Sequence, residues 1–430
     1  MTIAKRIPTI IVATLVVAAM TIVSCSHDET VSQQPTVTDM PIGFNVVVDN
    51  NTITRSVATT TTADFSEFDV WAFRASEDAD YVANGSCVMG VDATRGFLFQ
   101  KNSSIGVLSD SIKNLGVWGY ANKNQITFWP SDGTQYMSFY AVSPSSVSGT
   151  VPHRTMNVTN NAPTFTYEAY EAANGSHADQ RDLLIAGSKV ELTTINKIGV
   201  AGQPWMSVPL TFKHALSQVK FDAHLEPNCP KLEVIIKSVT ICNVARTGIC
   251  TIGTDNTASW ATTGSKRLSY IVNTPGADGN GIRLYTTDGT DLAAATPVAL
   301  STGSTAGAND DNLMLIPQQM TAWNPATTIA DNDAATGAGG TYLKIECTIK
   351  QNNINLLKDG VEHVYVPFAG TITNTGNDWN GQWKAGYSYI YHLQFGLGHD
   401  SEGKLNGSEI SYSVSIGKDW STNDDTILSL

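Results

Sequence analysis

The segment Ile42-Gly43-Phe44-Asn45-Val46-Val47-Val48 shows the pattern on which this chain is built. Apolar residues occupy every second position, at Ile42, Phe44, Val46 and Val48. Because successive side chains of a strand point to opposite faces, all four lie on one face of an extended segment. The segment is therefore predicted to be a β-strand with one strongly apolar face.

Comparable strand patterns recur along the chain, and no long amphipathic helix pattern accompanies them. The predicted strands are 68–73, 126–130, 136–142, 208–212, 219–223, 232–239, 313–316, 342–349, 364–368 and 387–395. Segments 126–130 and 136–142 are predicted to pair as a hairpin. The apolar parity changes across Lys213 to Ser217, which indicates a bulge or short turn. Many short strands with turn signals predict an all-β sandwich architecture, with two domains meeting near residue 205.

Length and charge agree with an exported β-protein. The chain has 430 residues, a formal net charge of −13 and only 15% charged residues. A chain of this length exceeds the size of one hydrophobic core, which favours two domains. The negative charge argues against nucleic-acid binding, because that function needs a basic surface.

The N-terminus has the order of a lipoprotein signal peptide. A short basic start precedes an uncharged apolar run, Ile7 to Val23, and Ile22-Val23-Ser24-Cys25 has the form of a lipobox. Residues 1–24 are predicted to be removed and Cys25 to be lipidated. The alternative is a transmembrane anchor, but the run is short for a span of about 20 residues and no basic cluster follows it.

Arg55 is the candidate processing site. It is the only Lys or Arg between Arg6 and Arg74, and polar, Thr- and Ala-rich sequence surrounds it. An exposed basic residue in such a segment is a favoured site for a trypsin-like protease, so cleavage between Arg55 and Ser56 is predicted. The alternative is an ordinary solvated arginine in a loop.

A second apolar alternation lies near the C-terminus. Its members are Ile410, Tyr412, Val414 and Ile416, separated by serines. This segment fits either the closing strand of the second domain or a strand donated to another molecule. If it is the closing strand, the donor would be the tail at 425–430.

The sequence contains no pattern of catalytic or metal-binding residues. The eight histidines are scattered, and no metal-protease or serine-hydrolase motif is present. Five cysteines follow Cys25 without metal-ligand spacing, and no structural disulfide is predicted. His214 lies between two apolar runs, which favours a packed structural residue. We therefore expect neither an enzyme nor a metal or cofactor.

Tryptophans suggest an alternative function. Trp379 and Trp383 lie among glycines and would suit an aromatic sugar platform in a surface glycan-binding lipoprotein of a polysaccharide-uptake system. Packing in the core or at its rim is the competing interpretation. A replacement of either tryptophan that abolishes glycan binding would favour the sugar platform.

Further segments, in order along the chain, carry a family resemblance. They are the lipobox at Cys25, the first strand followed by Thr54-Arg55, Phe128-Trp129-Pro130, 139–144, 182–186, 208–219, 315–318 and 383–389. Each is short, but together they span nearly the whole chain in the expected order. The chain resembles the fimbrillin family, the type V pilin precursors of the Bacteroidetes.

The resemblance implies a non-enzymatic fimbrial subunit that supports cell adhesion. Its fold would be two tandem transthyretin-like β-sandwiches, residues 56–205 and 206–430, preceded by a lipidated tether and removable strand at 25–55. The precursor would reach the outer membrane through its lipid, and an Arg-specific protease would cut after Arg55. The first strand would leave, and a strand from a neighbouring pilin would fill the open groove. The triplets Asp110-Ser111-Ile112 and Asp425-Thr426-Ile427 also resemble the O-glycosylation motif of this phylum.

Overall fold

The structure, a computed structural model, describes most of the regions predicted to be strands. The described residues are 41–48, 65–75, 87–91, 95–105, 118–130, 136–145, 154–157, 164–168, 182–192, 207–226, 229, 231–262, 267–273, 281–285, 298–300, 313–321, 323–324, 340–358, 362–368, 380–396, 411–418 and 426–429.

Most of these residues lie in β-strands, and Lys123–Gln125 form a 3₁₀ turn. The first ten strands are β1 (Gly43–Val48), β2 (Glu67–Ala75), β3 (Cys87–Met89), β4 (Phe97–Lys101), β5 (Trp118–Tyr120), β6 (Tyr136–Ser143), β7 (Arg154–Asn157), β8 (Thr164–Glu168), β9 (Leu184–Glu191) and β10 (Ser207–His214). The next are β11 (Ser217–Leu225), β12 (Leu232–Ala245), β13 (Thr247–Ile252), β14 (Ala258–Thr262), β15 (Arg267–Asn273), β16 (Ile282–Tyr285) and β17 (Val298–Leu300). The last are β18 (Leu313–Leu315), β19 (Tyr342–Gln351), β20 (Ile354–Asn355), β21 (His363–Pro367), β22 (Tyr387–Phe395), β23 (Ser411–Lys418) and β24 (Thr426–Ser429). The predicted all-β class is confirmed.

The first sheet contains eight strands and closes on itself. Its order is β3-β2-β4-β5-β1-β10-β9-β6, and β2 also pairs with β6. The β2–β6 ladder runs from Asp69↔Val142 to Ala75↔Tyr136 and joins the second strand of this path to the last, while β3 stays outside the ring on the edge of β2. The hydrogen-bonded neighbours therefore form a ring in which β1 lies between β5 and β10.

Three further sheets complete the fold. The second follows β17-β11-β22-β23-β24, with β18 also on β11, and the third follows β15-β12-β19-β20, with β16 on β12 and β21 on β19. The chain passes from the first sheet to the second between His214 and Ser217. The parity change in the sequence therefore marks a short crossing between two sheets.

The predicted domain boundary near residue 205 does not coincide with the point where the chain passes from the first sheet to the second. β10 begins at Ser207, yet it belongs to the first sheet. The fourth sheet, β14-β13-β8-β7, joins strands from both sides of residue 205, as in the pairing of Cys250 with Phe165. Hydrogen bonding between strands therefore links the two halves of the sequence.

Two large apolar clusters form the core. The smaller one draws its buried residues from Ile42 to Phe212 and fills the interior of the first sheet. The larger one contains residues of the other sheets together with Trp71, Tyr140 and other residues of the first. The alternation of β2 and β6 explains this division, because neighbouring residues of a strand face opposite sides and so enter different clusters.

The predicted hairpin between 126–130 and 136–142 is wrong. β6 pairs along its whole length with β9, from Tyr136↔Glu191 to Ser143↔Leu184, and β2 occupies its other edge. Both edges of β6 are therefore filled by strands distant in sequence. Phe128 instead forms an isolated bridge with Pro41, at the start of the first strand.

Candidate functional site: the first strand and its groove

The first strand presents the predicted apolar face to the interior of the first sheet. Ile42, just before β1, is fully buried, and Phe44 and Val48 are each only 5% exposed. Val46 is half-buried against the same cluster. Val47 points to the opposite face and is 52% exposed. The prediction of one apolar face is confirmed by this burial pattern.

The side chain of Phe44 packs among aromatic rings. Three rings meet it edge to face, those of Phe99 at 4.7 Å, Phe139 at 5.7 Å and Phe68 at 5.9 Å between centroids. This is the favoured arrangement of aromatic pairs, since the positive edge of one ring meets the negative face of the other. We call the site formed by Phe68, Phe99 and Phe139 the Phe44 pocket.

β10 flanks one edge of the first strand. The two strands run parallel, in a register from Gly43↔Ser207 to Val48↔Phe212. On its other edge β10 pairs with β9 through Lys213 and His214 in the described residues. Among the described residues, β1 is therefore the ladder partner of the stretch from Ser207 to Phe212.

β5 and the segment after it hold the other edge of the first strand. Phe44 pairs with Trp118, and the backbone N–H of Ile42 donates to the carbonyl of Thr127 at 2.8 Å. The hydroxyl of Tyr120 donates to the carbonyl of Ile42 at 2.9 Å. Burial raises the pKa of Tyr120, so its hydroxyl remains a protonated donor.

Together these flanks define a continuous apolar groove, which we call the first-strand groove. It lies between β5 and β10 and contains the Phe44 pocket. Its further walls are Trp118, Tyr120, Val208, Leu210 and Phe212, all of which are buried. The groove offers apolar contact and backbone hydrogen bonds, so its chemistry suits an extended strand of alternating apolar residues.

The sequence pattern did not predict the groove residues that come from β4 and β5. Phe99, Trp118 and Tyr120 lie in strands of five and three residues, which are too short to show a clear alternation. Gly119 offered a signal, because a side chain there would meet the carbonyl oxygen of Ser103 at 2.3 Å. A glycine between two aromatic residues marks a close approach of two backbones.

The predicted processing sites lie outside the described residues. Cys25, Arg55 and Ser56 all belong to this group. In sequence, Arg55 falls between the end of β1 at Val48 and the start of β2 at Glu67. Within the described part of the chain, no helix is both long and apolar enough to cross a membrane.

The C-terminal candidate segment forms β23 in the second sheet. Ile410 lies outside the described residues, while the backbone of Ser411–Lys418 pairs antiparallel with β22 on one side and β24 on the other. The partners of Val414, for example, are Tyr391 and Leu428. Ile416 packs, half-buried, against the larger core cluster. The segment thus occupies a place in the sheet of its own chain.

Two histidines each lie within hydrogen-bond distance of an aspartate. His214 is buried, and its Nδ1 lies 3.0 Å from Asp182 Oδ1. This confirms the interpretation of His214 as a packed structural residue. His392 Nδ1 lies 2.6 Å from Asp222 Oδ2 on the neighbouring strand. The described residues contain no group of three or more His, Cys, Asp or Glu side chains placed to hold a metal ion.

The cysteines after Cys25 are free thiols. Cys242 and Cys347 are buried, as expected of small apolar residues, and Cys87 is exposed. Burial raises the pKa of Cys347 to about 12. Such a thiol stays protonated and unreactive at neutral pH.

The proposed sugar platform is wrong for Trp383. Its side chain is 1% exposed, and its Nε1 donates to the hydroxyl of Tyr391 at 2.8 Å. Its ring meets Phe368 at 6.1 Å within the larger core. A ring buried in this way has no face for a sugar. Trp379 lies outside the described residues.

Sequence comparison assigns the family. The model of the fimbrillin-like family matches residues 54–418, which is most of the chain. The chain therefore belongs to the fimbrillin-like family. The search of curated proteins found no match.

Solved structures that match this chain come from Bacteroides and Porphyromonas species. A candidate cell adhesion protein of Bacteroides uniformis is 12% identical, with a TM-score of 0.38, covering 90% of this chain and 100% of its own. The fimbrial anchor protein Mfa2 of Porphyromonas gingivalis is 10% identical, with a TM-score of 0.34, covering 91% and 100%. The tip fimbrial protein Mfa3 of the same organism is 9% identical, with a TM-score of 0.36, covering 82% and 94%. At these low scores we draw no conclusion from the structural similarity.

Proposed function

We propose that this protein is a structural subunit of a type V fimbria that assembles by exchange of its first strand and supports cell adhesion. One observation carries the proposal. The first strand closes the ring of the first sheet and fills its core, yet Arg55, the only Lys or Arg between Arg6 and Arg74, follows it before β2 begins. A single cut there would leave the strand held by non-covalent contacts alone.

The route to the cell surface follows from the N-terminus. The signal peptide 1–24 directs export, and lipid on Cys25 tethers the precursor to the outer membrane. An Arg-specific protease then cuts between Arg55 and Ser56, which separates the lipidated segment 25–55 from the body. The protein passes from the membrane to the fimbrium after this cut.

Loss of the first strand would leave a groove that needs a new occupant. Ile42, Phe44 and Val48 are each almost completely buried, and burial of such side chains contributes about 1.5–3 kcal/mol apiece. The ladder from Ser207 to Phe212 would also lose its partner. An open edge beside an apolar trough pairs readily with a suitable strand. A strand from a neighbouring pilin would restore both kinds of contact.

The candidate donor is the segment with Ile410, Tyr412, Val414 and Ile416. It lies near the edge of the second sheet, where β24 pairs with β23 in the described residues. To act as a donor, β23 would have to leave its own sheet by breaking two ladders, one with β22 and one with β24. The ladder with β24 is short, because β24 contains only four residues.

The proposal includes two tandem transthyretin-like sandwiches. The sequence divides them at residues 56–205 and 206–430. The crossing between sheets supports a junction slightly later, at residues 215 and 216. The smaller core cluster, drawn from Ile42 to Phe212, supports a first unit that extends to the end of β10.

Cleavage with an Arg-specific protease tests this function. The parent chain should give a fragment that begins at Ser56 and then polymerises, whereas Arg55→Ala should stay folded and monomeric. Metabolic labelling with a fatty acid should mark the parent but not a variant with Cys25→Ala. An Arg55→Ala protein that polymerises as readily as the parent would sink the proposal.

A further inference from the structure

The first strand and the candidate donor segment near the C-terminus share more than the alternation of apolar and other residues. Both place an aromatic residue at the second of four apolar positions, as Phe44 in the first and Tyr412 in the second. The remaining positions hold β-branched residues in both: Ile42, Val46 and Val48 against Ile410, Val414 and Ile416. The two segments therefore match position by position.

The surroundings of Phe44 in the groove explain why an aromatic residue is needed at the second apolar position. Three aromatic rings surround Phe44, with centroids at 4.7 to 5.9 Å from its own. The neighbouring Val46 is only half-buried. A strand shifted by two residues toward Val46 would place a β-branched side chain in the Phe44 pocket and the aromatic ring at the partly exposed position of Val46. Volume and shape therefore distinguish one register from the next.

The same pocket distinguishes between the two possible donors. The tail Asp425-Thr426-Ile427-Leu428-Ser429-Leu430 contains no aromatic residue. It cannot fill a site shaped by Phe68, Phe99 and Phe139 around a phenyl ring without leaving a cavity. A residual cavity in a core costs free energy in proportion to its volume. The segment with Tyr412 meets the requirement.

We propose that the Phe44 pocket selects the donor strand and fixes its register, with Tyr412 of a second copy of this chain taking the place of Phe44. This inference rests on the proposed strand exchange. The donor runs parallel to β10, as the first strand does. Since Val47 lies opposite Thr211, the residue that replaces Val47, Ser415, lies opposite Thr211 of the receiving subunit.

Disulfide mapping between two variants tests the register. One chain carries Thr211→Cys and the other Ser415→Cys, both in a Cys87→Ser background that removes the exposed thiol. Both are cut with an Arg-specific protease, which spares the donor because the last arginine of the chain is Arg283. After mixing and oxidation, mass spectrometry should find the Thr211→Cys peptide joined to the Ser415→Cys peptide. Because each chain carries one of the two new thiols, such a bond joins two molecules.

Matched controls separate the possible failures. Ser413→Cys, two residues out of register, and Ser429→Cys, in the tail, should each cross-link to Thr211→Cys far less than Ser415→Cys does. If polymers form but the strongest cross-link involves Ser413→Cys or Ser429→Cys, the register is wrong while strand exchange stands. If the cleaved parent chain forms no polymer under the same conditions, both the register and the proposed function fail.

Substitution of the aromatic residue tests the selection. Tyr412→Phe should polymerise like the parent, whereas Tyr412→Ala should slow polymerisation by about tenfold or more. Val414→Ala should have a smaller effect, because its site in the groove is only half-buried. Equal effects of Tyr412→Ala and Val414→Ala would overturn the selection.

A peptide assay tests the same aromatic requirement without needing the Tyr412→Ala chain to fold. A synthetic peptide of residues 409–418 is added to the cleaved parent chain as a competitor for the groove. The natural peptide should inhibit polymerisation, and the same peptide with Tyr412→Ala should inhibit about tenfold less. Equal inhibition by the two peptides would contradict an aromatic requirement.

Discussion

Phe44 meets the ring of Phe99 edge to face, with centroids 4.7 Å apart and an angle of 89° between the rings. The first ring belongs to the strand that we propose is removed, and the second to β4, which stays with the body. The contact therefore lies across the boundary that cleavage and strand release would open. The strength of such contacts decides how firmly the precursor holds its first strand.

Replacement of Phe44 should weaken the uncut precursor. Phe44→Ala removes a ring from a closely packed pocket and should lower the free energy of unfolding by about 3–5 kcal/mol. Urea denaturation measures the change. Val47→Thr is the matched control, since Val47 is 52% exposed on the opposite face and should change stability by no more than about 0.5 kcal/mol. Similar losses in the two variants would contradict the burial described above.

Removal of one hydroxyl should loosen the N-terminal end of the first strand. Tyr120→Phe deletes the hydrogen bond to the carbonyl of Ile42 and leaves that buried acceptor without this donor. The expected loss is about 1–3 kcal/mol, together with faster amide hydrogen exchange in β1. Tyr285→Phe serves as control, because Tyr285 is exposed. Unchanged exchange in β1 would show that this bond does not hold the strand.

High pH should destabilise the protein through its buried tyrosines. Burial raises the pKa values of Tyr120, Tyr167 and Tyr389. The unfolded chain ionises near the ordinary value of about 10, so stability is retained below that pH and is lost as pH rises above it. Urea unfolding between about pH 8 and about pH 11 should show the decline. In Tyr120→Phe the slope of stability against pH should be shallower, and an unchanged slope would argue against a buried, protonated Tyr120.

Trp383 should behave as a core residue. Trp383→Ala removes a ring that is 1% exposed and should cost about 3–5 kcal/mol of stability. It also leaves the hydroxyl of Tyr391 without its indole partner. Thermal unfolding measures the effect. A variant that keeps its stability but loses binding on a glycan array would restore the sugar-platform hypothesis.

The local pattern predicted individual strands well and their pairing poorly. Ile42 to Val48 follows a period of two, and that period alone determines which side chains share a face. The hairpin predicted for 126–130 and 136–142 failed because nearness in sequence was taken for pairing. β6 instead pairs with β2 and β9, whose apolar faces complete the same core. Partner choice depends on the packing of distant residues, which a local pattern does not contain.

The groove around the first strand shows the same limit. Ile42, Phe44, Val46 and Val48 were predicted as its occupants. The rings that enclose Phe44 come from β2, β4 and β6, and the hydroxyl that holds Ile42 comes from Tyr120. These walls are separated by many residues in sequence, so no spacing relates them. Their common role appears only when the ring of strands is closed.

The sequence by itself determined that this is an all-β chain with one apolar face on its first strand and a second segment of the same pattern near its end. Those properties follow from side-chain alternation, which is local. The tertiary structure decided that the first strand lies between β5 and β10, that the chain changes sheets after His214, and that Trp383 is buried. Each of these depends on hydrogen bonds and packing between distant segments, because a strand satisfies its backbone and buries its apolar face only against partners that the rest of the fold supplies.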